Sequence, residues 1–516
     1  MITSSHFIFA SPALAGTLPK GEGGLASIIS FYFCLTRPSG HPPQKGGRIG
    51  KHHFVLFLPS PLGKVSRSDG RGYILLKEIF MINNGSPTVG VYTLGCRLNQ
   101  YESTAIEEAL SENGFIVLPF SEKCDVYIIN TCAVTEESEK KSRKIVRRAH
   151  SENPDAFVIV TGCASQVHSD VMAAIPGVSY VCGNRNKLSA AEAAIMLMRG
   201  ENIDGKISIM DVEASPIEKM SITRSERTRA FVKIEDGCDN HCTYCIIKTA
   251  RGSVVSRRAD EIIEEVKTLC RAGYEEVVLT GVETASYGKD FDDGYDLALL
   301  IRDVAQKTDI KRIRLGSLEP SVLKKALVDK LCAEEKFLPS FHLSLQSGSN
   351  RVLAAMKRKY NREMVLSNVA YIKEKMPAAT FTCDIIAGFP GESEEDFADT
   401  YDIAERIEFL HMHVFPFSKR EGTPAADMPC QLPESVKNER VKRLAELEKT
   451  LRAKNIERFI GIEFCVLFET EKNGVYTGHT ENMLEVSVPS EIDIRGKIVK
   501  VKISGYDGEN IIAEIV

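Results

Sequence analysis

The stretch AFVKIEDGCDNHCTYC, residues 230–245, decides the fold class of this 516-residue chain. It begins as a short apolar β-strand and ends in three cysteines, Cys238, Cys242 and Cys245, with the spacing C-x3-C-x2-C. Three thiolates from one short loop can hold three corners of a four-iron cluster and leave the fourth iron without a protein ligand. An open metal position is typical of catalytic sites, whereas structural sites are closed. The stretch therefore predicts a catalytic iron–sulfur site at the end of a strand.

A zinc site is the alternative for these cysteines. His241 offers a fourth ligand, but a zinc ribbon needs a second cysteine pair at matching spacing. The next cysteine, Cys270, stands alone in helix-like sequence. The spacing is instead typical of radical S-adenosylmethionine (SAM) enzymes.

Downstream of this loop, the sequence alternates between strands and helices. Five more strands are predicted, at EEVVLTG (275–281), KRIRLGS (311–317), SFHLSL (340–345), TFTCDIIAG (380–388) and HMHVFPF (411–417). Six parallel strands predict an α/β fold, a partial (β/α)6 barrel, whose functional loops lie at the carboxyl ends of the strands. Cys238 follows the first strand, where such a barrel would place a cofactor.

Upstream, residues 88–205 predict a separate α/β domain with three cysteines of its own. Its strands are TVGVYTLGC (88–96), CDVYIINTC (124–132) and AFVIVTGC (156–163), which end in Cys96, Cys132 and Cys163. Any one of these cysteines alone could be a small buried hydrophobic residue. Because parallel strands bring their carboxyl ends to one edge of the sheet, the three thiols are expected to converge. Their number favours ligation of a second iron–sulfur cluster.

A charged helix is predicted after Cys132, from Glu136 to His150. Lys140, Lys144, Arg147 and Arg148 fall on one face of it. Such a run is usually a solvated surface, but its position beside the second cysteine triad makes contact with phosphates the alternative. The chain has 65 basic and 70 acidic side chains, a net charge of −5. Any nucleic-acid site must therefore be local.

The C-terminal segment predicts a small antiparallel β-barrel over residues 453–516, after a helical region at 432–458. The strands identified are EFCVLFETE, GKIVKVKISGY and NIIAEIV. Residues 459–516 carry five basic and ten acidic side chains, a net charge of −5, which argues against strong phosphate neutralisation by the barrel as a whole. Lys497, Lys500 and Lys502 alternate on one strand face, and are the basic residues through which it would contact RNA.

Residues 1–87 differ from the rest of the chain. Proline and glycine are so frequent that no helical or strand period persists, and nine basic residues face three acidic ones. No basic residue precedes the Ala13-Leu14-Ala15 cleavage-like site, so a signal peptide is not expected. The longest apolar stretch, 25–35, is too short to cross a bilayer. We expect a disordered or mis-assigned extension, translation from Met81, and a cytoplasmic protein without a disulfide scaffold or a membrane contact.

Six separated motifs make residues 88–516 similar to the methylthiotransferase family of radical SAM enzymes. They are TLGCRLNQYES (93–103), CTYCIIKTARG (242–252), LTGVETASYG (279–288), RLGSLEP (314–320), HLSLQSGS (342–349) and FPFSKREGTPAADM (415–428). The family order is a three-cysteine domain (88–205), a radical SAM barrel (224–452) and a TRAM barrel (453–516). The first motif resembles the branch that acts on threonylcarbamoyladenosine in tRNA. The isopentenyladenosine branch tends to show YGCQMN there, and the ribosomal-protein branch GCPKN.

The resemblance implies two [4Fe-4S] clusters, SAM and a tRNA anticodon loop. Cys238, Cys242 and Cys245 would bind the SAM cluster, and Cys96, Cys132 and Cys163 the auxiliary cluster. Strand-end residues Gly281, Glu283, Gln346 and Gly388 would contact SAM, although each glycine could equally serve a turn. The substrate implied is adenosine 37, already threonylcarbamoylated, in tRNAs that read ANN codons. An external electron donor and a sulfur source are also implied, and the oligomeric state is left open.

The reaction explains why two clusters are needed. Carbon 2 of adenine carries only hydrogen, which general acid–base catalysis cannot replace, whereas a cofactor-derived radical can. In the family's mechanism one SAM yields the 5′-deoxyadenosyl radical, and a second methylates sulfur at the auxiliary cluster.

Three other readings remain. One is a different branch, acting on isopentenyladenosine 37 or on a ribosomal-protein aspartate. The others are a non-catalytic iron–sulfur RNA-binding protein and a zinc-binding RNA module. Lys248, where the family usually has proline, puts the shape of the cysteine loop in question.

Overall fold

The computed structural model describes residues 28–29, 56–57 and 85–516. Strands β1 (Ile28–Ile29) and β2 (Leu56–Phe57) pair antiparallel within a separate unit that ends at residue 77. The expected extension over residues 1–87 and the expected start at Met81 therefore lie almost entirely outside the described residues. Everything that follows concerns residues 85–516.

A six-stranded parallel sheet forms the first part of this unit. Its strands are β3 (Thr88–Thr93), β4 (Ile116–Leu118), β5 (Val126–Thr131), β6 (Phe157–Gly162), β7 (Val178–Cys182) and β8 (Ile207–Ser208), in the spatial order β4-β3-β5-β6-β7-β8. Its helices are α1 (Arg97–Glu112), α2 (Glu136–Glu152), α3 (Cys163–Val167), α4 (Ser169–Ala173) and α5 (Ser189–Met198). Every residue of β5 is buried, because helices cover both faces of a parallel sheet.

Nine strands follow. Seven of them occupy six parallel positions, as predicted for a partial barrel, because two consecutive short strands share one position. The strands are β9 (Ala230–Lys233), β10 (Glu235–Asp236), β11 (Val255–Ser256), β12 (Glu276–Thr280), β13 (Arg312–Leu315), β14 (Ser317–Leu318), β15 (Ser340–Gln346), β16 (Thr380–Ala387) and β17 (His411–Pro416). The order β9-β12-β13 continues as β14-β15-β16-β17, since only Gly316 separates β13 from β14. The short β10 and β11 form an antiparallel ribbon beside the barrel.

Seven helices accompany these strands. They are α6 (Ile247–Arg251), α7 (Ala259–Arg271), α8 (Leu297–Lys307), α9 (Lys325–Cys332), α10 (Asn350–Ala355), α11 (Arg362–Lys375) and α12 (Glu394–Ile407). Three short 3₁₀ helices lie at Thr284–Ser286, Pro320–Val322 and Pro424–Ala426. Along β15, burial alternates: Phe341, Leu343 and Leu345 join the core under the helices, while Ser344 and Gln346 stay partly accessible on the opposite, inner face.

The C-terminal segment is a closed five-stranded barrel, which confirms the predicted barrel. Helix α13 (Glu434–Glu457) leads into β18 (Glu463–Lys472), β19 (Val475–His479), β20 (Glu485–Pro489), β21 (Ile498–Tyr506) and β22 (Ile511–Ile515), arranged as β18-β19-β20-β22-β21. Its strand pairs are antiparallel as expected, except that β20 and β22 pair in parallel. Leu451 of α13 packs in the core of the parallel barrel, whereas Ile456 and Phe459 pack in the core of the C-terminal barrel. The hydrophobic environment thus changes within α13.

Among the described residues, the helices include none with the length and apolar character needed to cross a bilayer.

Candidate iron–sulfur and substrate site

The three cysteines of the C-x3-C-x2-C loop lie together on one cavity. Backbone N–H groups point at two of the sulfurs: Asn240 N lies 3.4 Å from Cys238 Sγ, and Ile247 N lies 3.4 Å from Cys245 Sγ. The third sulfur, of Cys242, accepts from Arg358 Nη1 at 3.3 Å. Hydrogen bonds to sulfur stabilise cluster-bound thiolates, so this donor set fits a cluster with three cysteine ligands.

The cavity beside this loop has a volume of about 640 Å³. Besides the three cysteines, it is lined by Glu283, Ser344, Gln346 and Arg358. Two of the four residues predicted to contact SAM, Glu283 and Gln346, are therefore on its wall. Gln346 ends β15 with a φ of 63°, a conformation that non-glycine residues adopt mainly where a site requires it.

The structure gives the two predicted glycines packing roles and does not bring either to the cavity wall. A Cβ at Gly281 would lie 1.8 Å from Glu235 Oε1, and that oxygen accepts from the Glu283 N–H at 2.8 Å. Gly388 has a φ of 78°, and a Cβ there would lie 2.3 Å from Lys437 Cγ. Glycine at 281 thus makes room for the carboxylate that orients the loop at Glu283.

Burial controls the protonation of this site. It raises the pKa of the Cys238 thiol to about 12 and that of the Cys245 thiol to about 11. Burial also raises the pKa of Glu283 to about 7, with the charge of Glu319 adding to the rise. The thiols would stay protonated at neutral pH without a metal, whereas a coordinating metal ion deprotonates them. Cluster binding is therefore coupled to proton release.

The second cysteine triad also converges, at the predicted edge of the N-terminal sheet. Cys132 directly follows β5, Cys163 directly follows β6 and opens α3, and Cys96 caps the start of α1. Burial raises the pKa of the Cys132 thiol to about 12, and the neighbouring Cys163 and Cys96 thiols add to the rise. Gly95, at φ 95°, allows the close approach, because a Cβ there would lie 2.9 Å from Cys132 Sγ. Cys96 is exposed, while the other two are buried.

The two triads are neighbours. Helix α3, which begins at Cys163, packs against α6, which follows Cys245. Cys163 and Ala164 share one hydrophobic cluster with Ile246 and Ala250, and the charge of Cys163 acts on the Cys245 thiol. Two iron–sulfur clusters held by these triads would therefore face a common space.

A buried polar network joins the segments that carry the two triads. It contains Asn99, Glu102, Asn130, Lys187, Lys233, Asp236 and Arg251. Lys233 Nζ lies 2.8 Å from Glu102 Oε1 and 2.7 Å from Asp236 Oδ2. The network was not predicted from the sequence, because its members are scattered over 150 positions and carry no local spacing.

Arg358 is a second residue that the sequence analysis missed. It lies in the loop after α10, far along the chain from the cysteines, and also donates to the Ser344 carbonyl at 3.1 Å. Nothing in the surrounding sequence distinguishes it from other exposed arginines. Only the folded barrel brings its guanidinium to Cys242.

Lys248 leaves the helix after the cysteine loop intact. It is the second residue of α6, in the first turn, where a helix also tolerates proline. Its Nζ reaches Ser253 Oγ at 3.3 Å. The departure from the family pattern therefore changes the cavity wall more than the loop.

The basic face of α2 is exposed as predicted, but its members differ in their pairing. Lys140 pairs with Glu136 at 2.6 Å, and Arg148 with Glu152 at 3.1 Å. Lys144 and Arg147 form no ion pair with any residue of 85–516.

On the C-terminal barrel, Lys500 pairs with Glu463 at 2.5 Å, while Lys502 is exposed on the same strand. Lys497 precedes that strand and donates to the Asp493 carbonyl.

Two family profiles match the chain. Residues 232–404 match the Radical SAM superfamily, and residues 88–183 match the Uncharacterized protein family UPF0004. The two matches coincide with the segments that carry the two cysteine triads.

Individual relatives match nearly the whole of the described region. A protein of Bacillus subtilis (strain 168) is 40% identical over 430 residues, covering 81% of this chain and 94% of the relative. One of Aquifex aeolicus (strain VF5) is 37% identical, covering 80% and 100%. Both are named threonylcarbamoyladenosine tRNA methylthiotransferase MtaB. A protein of Acetivibrio thermocellus, named tRNA-2-methylthio-N(6)-dimethylallyladenosine synthase, is 36% identical, covering 80% and 87%.

Among solved structures, the chain resembles the radical SAM methyltransferase TsrM of Kitasatospora setae with cobalamin and a [4Fe-4S] cluster bound. The TM-score is 0.51 at 14% identity, covering 76% of this chain and 80% of that one. At this identity the likeness concerns the fold alone.

Proposed function

The chain belongs to the methylthiotransferase family of radical SAM enzymes, and on that premise we propose that it methylthiolates carbon 2 of N6-threonylcarbamoyladenosine 37 in tRNAs that read ANN codons. The observation that carries the proposal is the packing of α3 on α6, which makes the two cysteine triads neighbours. This proximity is what a reaction that uses both clusters on one adenine requires. The names of the Bacillus and Aquifex relatives support the choice of nucleoside.

We assign Cys238, Cys242 and Cys245 to the SAM cluster, and Cys96, Cys132 and Cys163 to the auxiliary [4Fe-4S] cluster. When bound, the clusters and SAM supply the radical, the sulfur and the methyl group of the reaction. The chain's own contribution is to hold and orient these groups. The N–H groups of Asn240, Ile247 and Val134 stabilise three of the thiolates.

The cavity wall provides the SAM contacts. Glu283 offers a buried carboxyl whose pKa lies near 7, and its carboxylate form would accept from the ammonium group of SAM. Gln346 offers an amide on the same wall. Gly281 and Gly388 act indirectly, by allowing the strand-end loops their conformations.

The remaining assignments follow from the substrate. The three domains are taken as 88–205, 224–452 and 453–516, and the change of core within α13 supports the last boundary. Lys140, Lys144, Arg147 and Arg148 contact RNA phosphates. An external reductant supplies electrons, a separate donor supplies sulfur, and the protein works in the cytoplasm, where its tRNA substrate is.

The test is nucleoside mass spectrometry of tRNA from a strain that lacks the gene. We expect 2-methylthio-N6-threonylcarbamoyladenosine to disappear and its unmethylthiolated precursor to accumulate. Wild-type protein and the control Cys332→Ala, on α9 and outside both triads, should restore it, whereas Cys132→Ala and Cys242→Ala should not. Loss of the dimethylallyl nucleoside instead would favour the activity named for the Acetivibrio relative. Unchanged tRNA would favour the ribosomal-protein substrate or a non-catalytic role.

Metal analysis separates the remaining readings. Anaerobically prepared protein should hold about eight irons and no zinc, because each triad would hold four irons. Replacing all three cysteines of either triad by alanine should reduce this to about four. The variant lacking Cys96, Cys132 and Cys163 should still form 5′-deoxyadenosine from SAM without methylthiolating tRNA. Absence of 5′-deoxyadenosine from the wild type would favour a non-catalytic iron–sulfur protein.

A further inference from the structure

A cluster of four arginines lies beside Cys96, on the inner face of the barrel. Its members are Arg97, Arg227, Arg229 and Arg314. Arg97 is the residue after Cys96 and the first residue of α1. It is half-buried, and the positive charges of the other three act on it. The acidic group that opposes them is Asp384 of β16.

Two of the four arginines are already neutralised. Arg314 lies 2.9 Å from Glu276 Oε1 and also donates to the Glu481 carbonyl at 3.1 Å. Arg229 lies 3.1 Å from Glu469 Oε2. Asp384 Oδ2 lies 3.1 Å from His342 Nε2. Arg97 and Arg227 form no ion pair among the described residues, and Asp384 is the carboxylate whose charge acts on Arg97.

Arg97 and Arg227 instead share an aromatic ring. Their guanidinium carbons lie 5.9 and 5.6 Å from the centre of the Phe231 ring. Neither side chain forms an ion pair or a hydrogen bond within residues 85–516. Phe231 is on the face of β9 opposite Ala230 and Val232, which pack under the outer helices. The two cations thus lie over the inner face of β9, where Arg97 is half-buried and Arg227 is exposed.

A carboxylate or a phosphate is the anion that this arrangement suits. A guanidinium presents two parallel N–H groups that match the two oxygens of a carboxylate, and an aromatic face behind it fixes its plane. Because Arg97 adjoins Cys96, the anion would be bound next to the auxiliary triad. Asp384 lies on β16, beside β15, which contributes Ser344 and Gln346 to the cavity of the other triad. Asp384, whose charge acts on Arg97, therefore connects the arginine pair to the strands beside this cavity, and neither arginine is among the residues that line the cavity itself.

Resting on the proposed function, we propose that Arg97, assisted by Arg227, binds the threonyl carboxylate of the N6-threonylcarbamoyl group and so selects this nucleoside. The carboxylate is the negative charge that the modified base itself carries. It is attached through N6 on C6, which N1 separates from C2, and the threonyl group extends several bonds beyond N6, so a base that presents C2 to the triads would extend its N6 substituent toward Arg97. An uncharged dimethylallyl group offers these cations no partner. A backbone phosphate is the other source of an anion.

The test compares three anticodon stem–loops that differ only at N6 of adenosine 37. The first carries threonylcarbamoyl, the second carries glycylcarbamoyl, which keeps the carboxylate, and the third carries the threoninamide analogue, which lacks it. Reconstituted wild type, Arg97→Gln, Arg97→Lys, Arg227→Gln and the control Arg302→Gln are assayed. Arg302 lies on α8 and pairs with Asp303. Methylthiolation rates and stem–loop affinity by fluorescence anisotropy are both measured, and iron content is checked for each variant.

We expect Arg97→Gln to reduce kcat/KM for the two carboxylate substrates by roughly 10- to 100-fold, the range for a lost hydrogen bond to a charged group. With the threoninamide analogue, Arg97→Gln should react at the same rate as the wild type. Affinity should follow the same pattern, Arg97→Lys should retain part of the preference, and Arg227→Gln should lose less than Arg97→Gln.

Two results would overturn the inference. One is an equal loss on all three stem–loops, which would mean that Arg97 binds a backbone phosphate. The other is an iron-loaded Arg97→Gln protein that still prefers the carboxylate substrates. If instead the wild type leaves all three stem–loops unmodified but modifies a dimethylallyl substrate, the proposed function fails, and the inference with it.

Discussion

Arg251 binds Glu102 through both of its terminal nitrogens, with Nη1 2.9 Å from Oε1 and Nη2 2.9 Å from Oε2. Glu102 lies on α1, the helix that begins after Cys96, and Arg251 ends α6, the helix after Cys245. Both side chains are fully buried. Burial alone would raise the pKa of Glu102, but Arg251, Lys187 and Lys233 outweigh it and hold the pKa well below its usual range. One ion pair thus fixes the two cysteine segments relative to each other.

The first prediction concerns this pair. Glu102→Gln keeps the shape of the side chain but leaves four buried cations, Arg185, Lys187, Lys233 and Arg251, with Asp236 as their remaining carboxylate. Removing one partner of a buried ion pair typically costs about 3–5 kcal/mol, so we expect a loss of that size in the free energy of unfolding. The measurement is urea unfolding of anaerobic, cluster-loaded protein. Cluster absorbance and circular dichroism are the probes, since the chain contains no tryptophan.

The matched control is Glu264→Gln, which removes a carboxylate that pairs with Lys267 on the exposed face of α7. It should leave the unfolding midpoint unchanged. Equal midpoints for Glu102→Gln and wild type would show that the buried pair contributes nothing to stability.

The sequence was sufficient for the parts of this molecule that depend on local spacing. Both cysteine triads, the alternation of strands and helices and the C-terminal barrel were predicted because each leaves a periodic or fixed-interval pattern. Two barrel strands, β19 and β20, were missed, although the two-residue turn Asn473-Gly474 that joins β18 to β19 is a hairpin signal. Gly281 was predicted to contact SAM, yet its space is filled by Glu235.

The long-range contacts around the site left no such pattern. Arg251 and Glu102 are 149 residues apart, and Arg358 is 116 residues from Cys242. Arginines and carboxylates are so common on surfaces that their burial and pairing can be recognised only after folding. The fold and the candidate metal ligands can therefore be predicted from the sequence, whereas the residues that position these ligands and adjust their charge cannot.

The second prediction is a pH dependence of SAM binding. Burial raises the pKa of Glu283 to about 7, so the free protein carries a neutral carboxyl below that pH and a carboxylate above it. Accepting a hydrogen bond from the ammonium group of SAM requires the carboxylate form of Glu283. Affinity should therefore fall as the pH drops below 7, by up to about tenfold per pH unit for one linked proton. Above about pH 8 the amino group of SAM itself loses its proton.

Equilibrium dialysis of SAM against oxidised, cluster-loaded protein between pH 5.5 and 7.5 tests this dependence. Glu283→Gln should bind more weakly at pH 7.5 and show no change with pH over this range. The exposed Glu335→Gln should behave as the wild type. A wild-type affinity that is flat or that rises toward pH 5.5 would refute the role of Glu283.

The third prediction concerns Arg358 and the reduction potential of the SAM cluster. Its guanidinium lies 3.3 Å from the sulfur of Cys242, where a positive charge favours the more negative, reduced state. Arg358→Gln should therefore shift the potential to more negative values and slow SAM cleavage. Arg358→Lys, which keeps the charge, should shift it less. A shift of 59 mV corresponds to a tenfold change in a one-electron equilibrium.

The potential is measured by a redox titration followed by electron paramagnetic resonance. It is done in the background of Cys96→Ala, Cys132→Ala and Cys163→Ala, so that one cluster is observed. A positive shift in Arg358→Gln, or equal shifts in both variants, would contradict an electrostatic effect.

The fourth prediction separates two surfaces for RNA. Lys144 and Arg147 on α2 form no ion pair within residues 85–516, whereas Lys500 on the acidic C-terminal barrel pairs with Glu463. Cations that are free to bind phosphates release counterions from RNA when they bind. The double variant Lys144→Gln/Arg147→Gln should therefore weaken tRNA binding and reduce the slope of log affinity against log salt by about one to two. Lys500→Gln/Lys502→Gln, with the same change of charge, should reduce it less.

Both effects should be equal for tRNA with and without the threonylcarbamoyl group, because phosphate contacts carry no information about the base. If the slope changes only in the Lys500→Gln/Lys502→Gln variant, the C-terminal barrel, and not α2, binds the RNA phosphates.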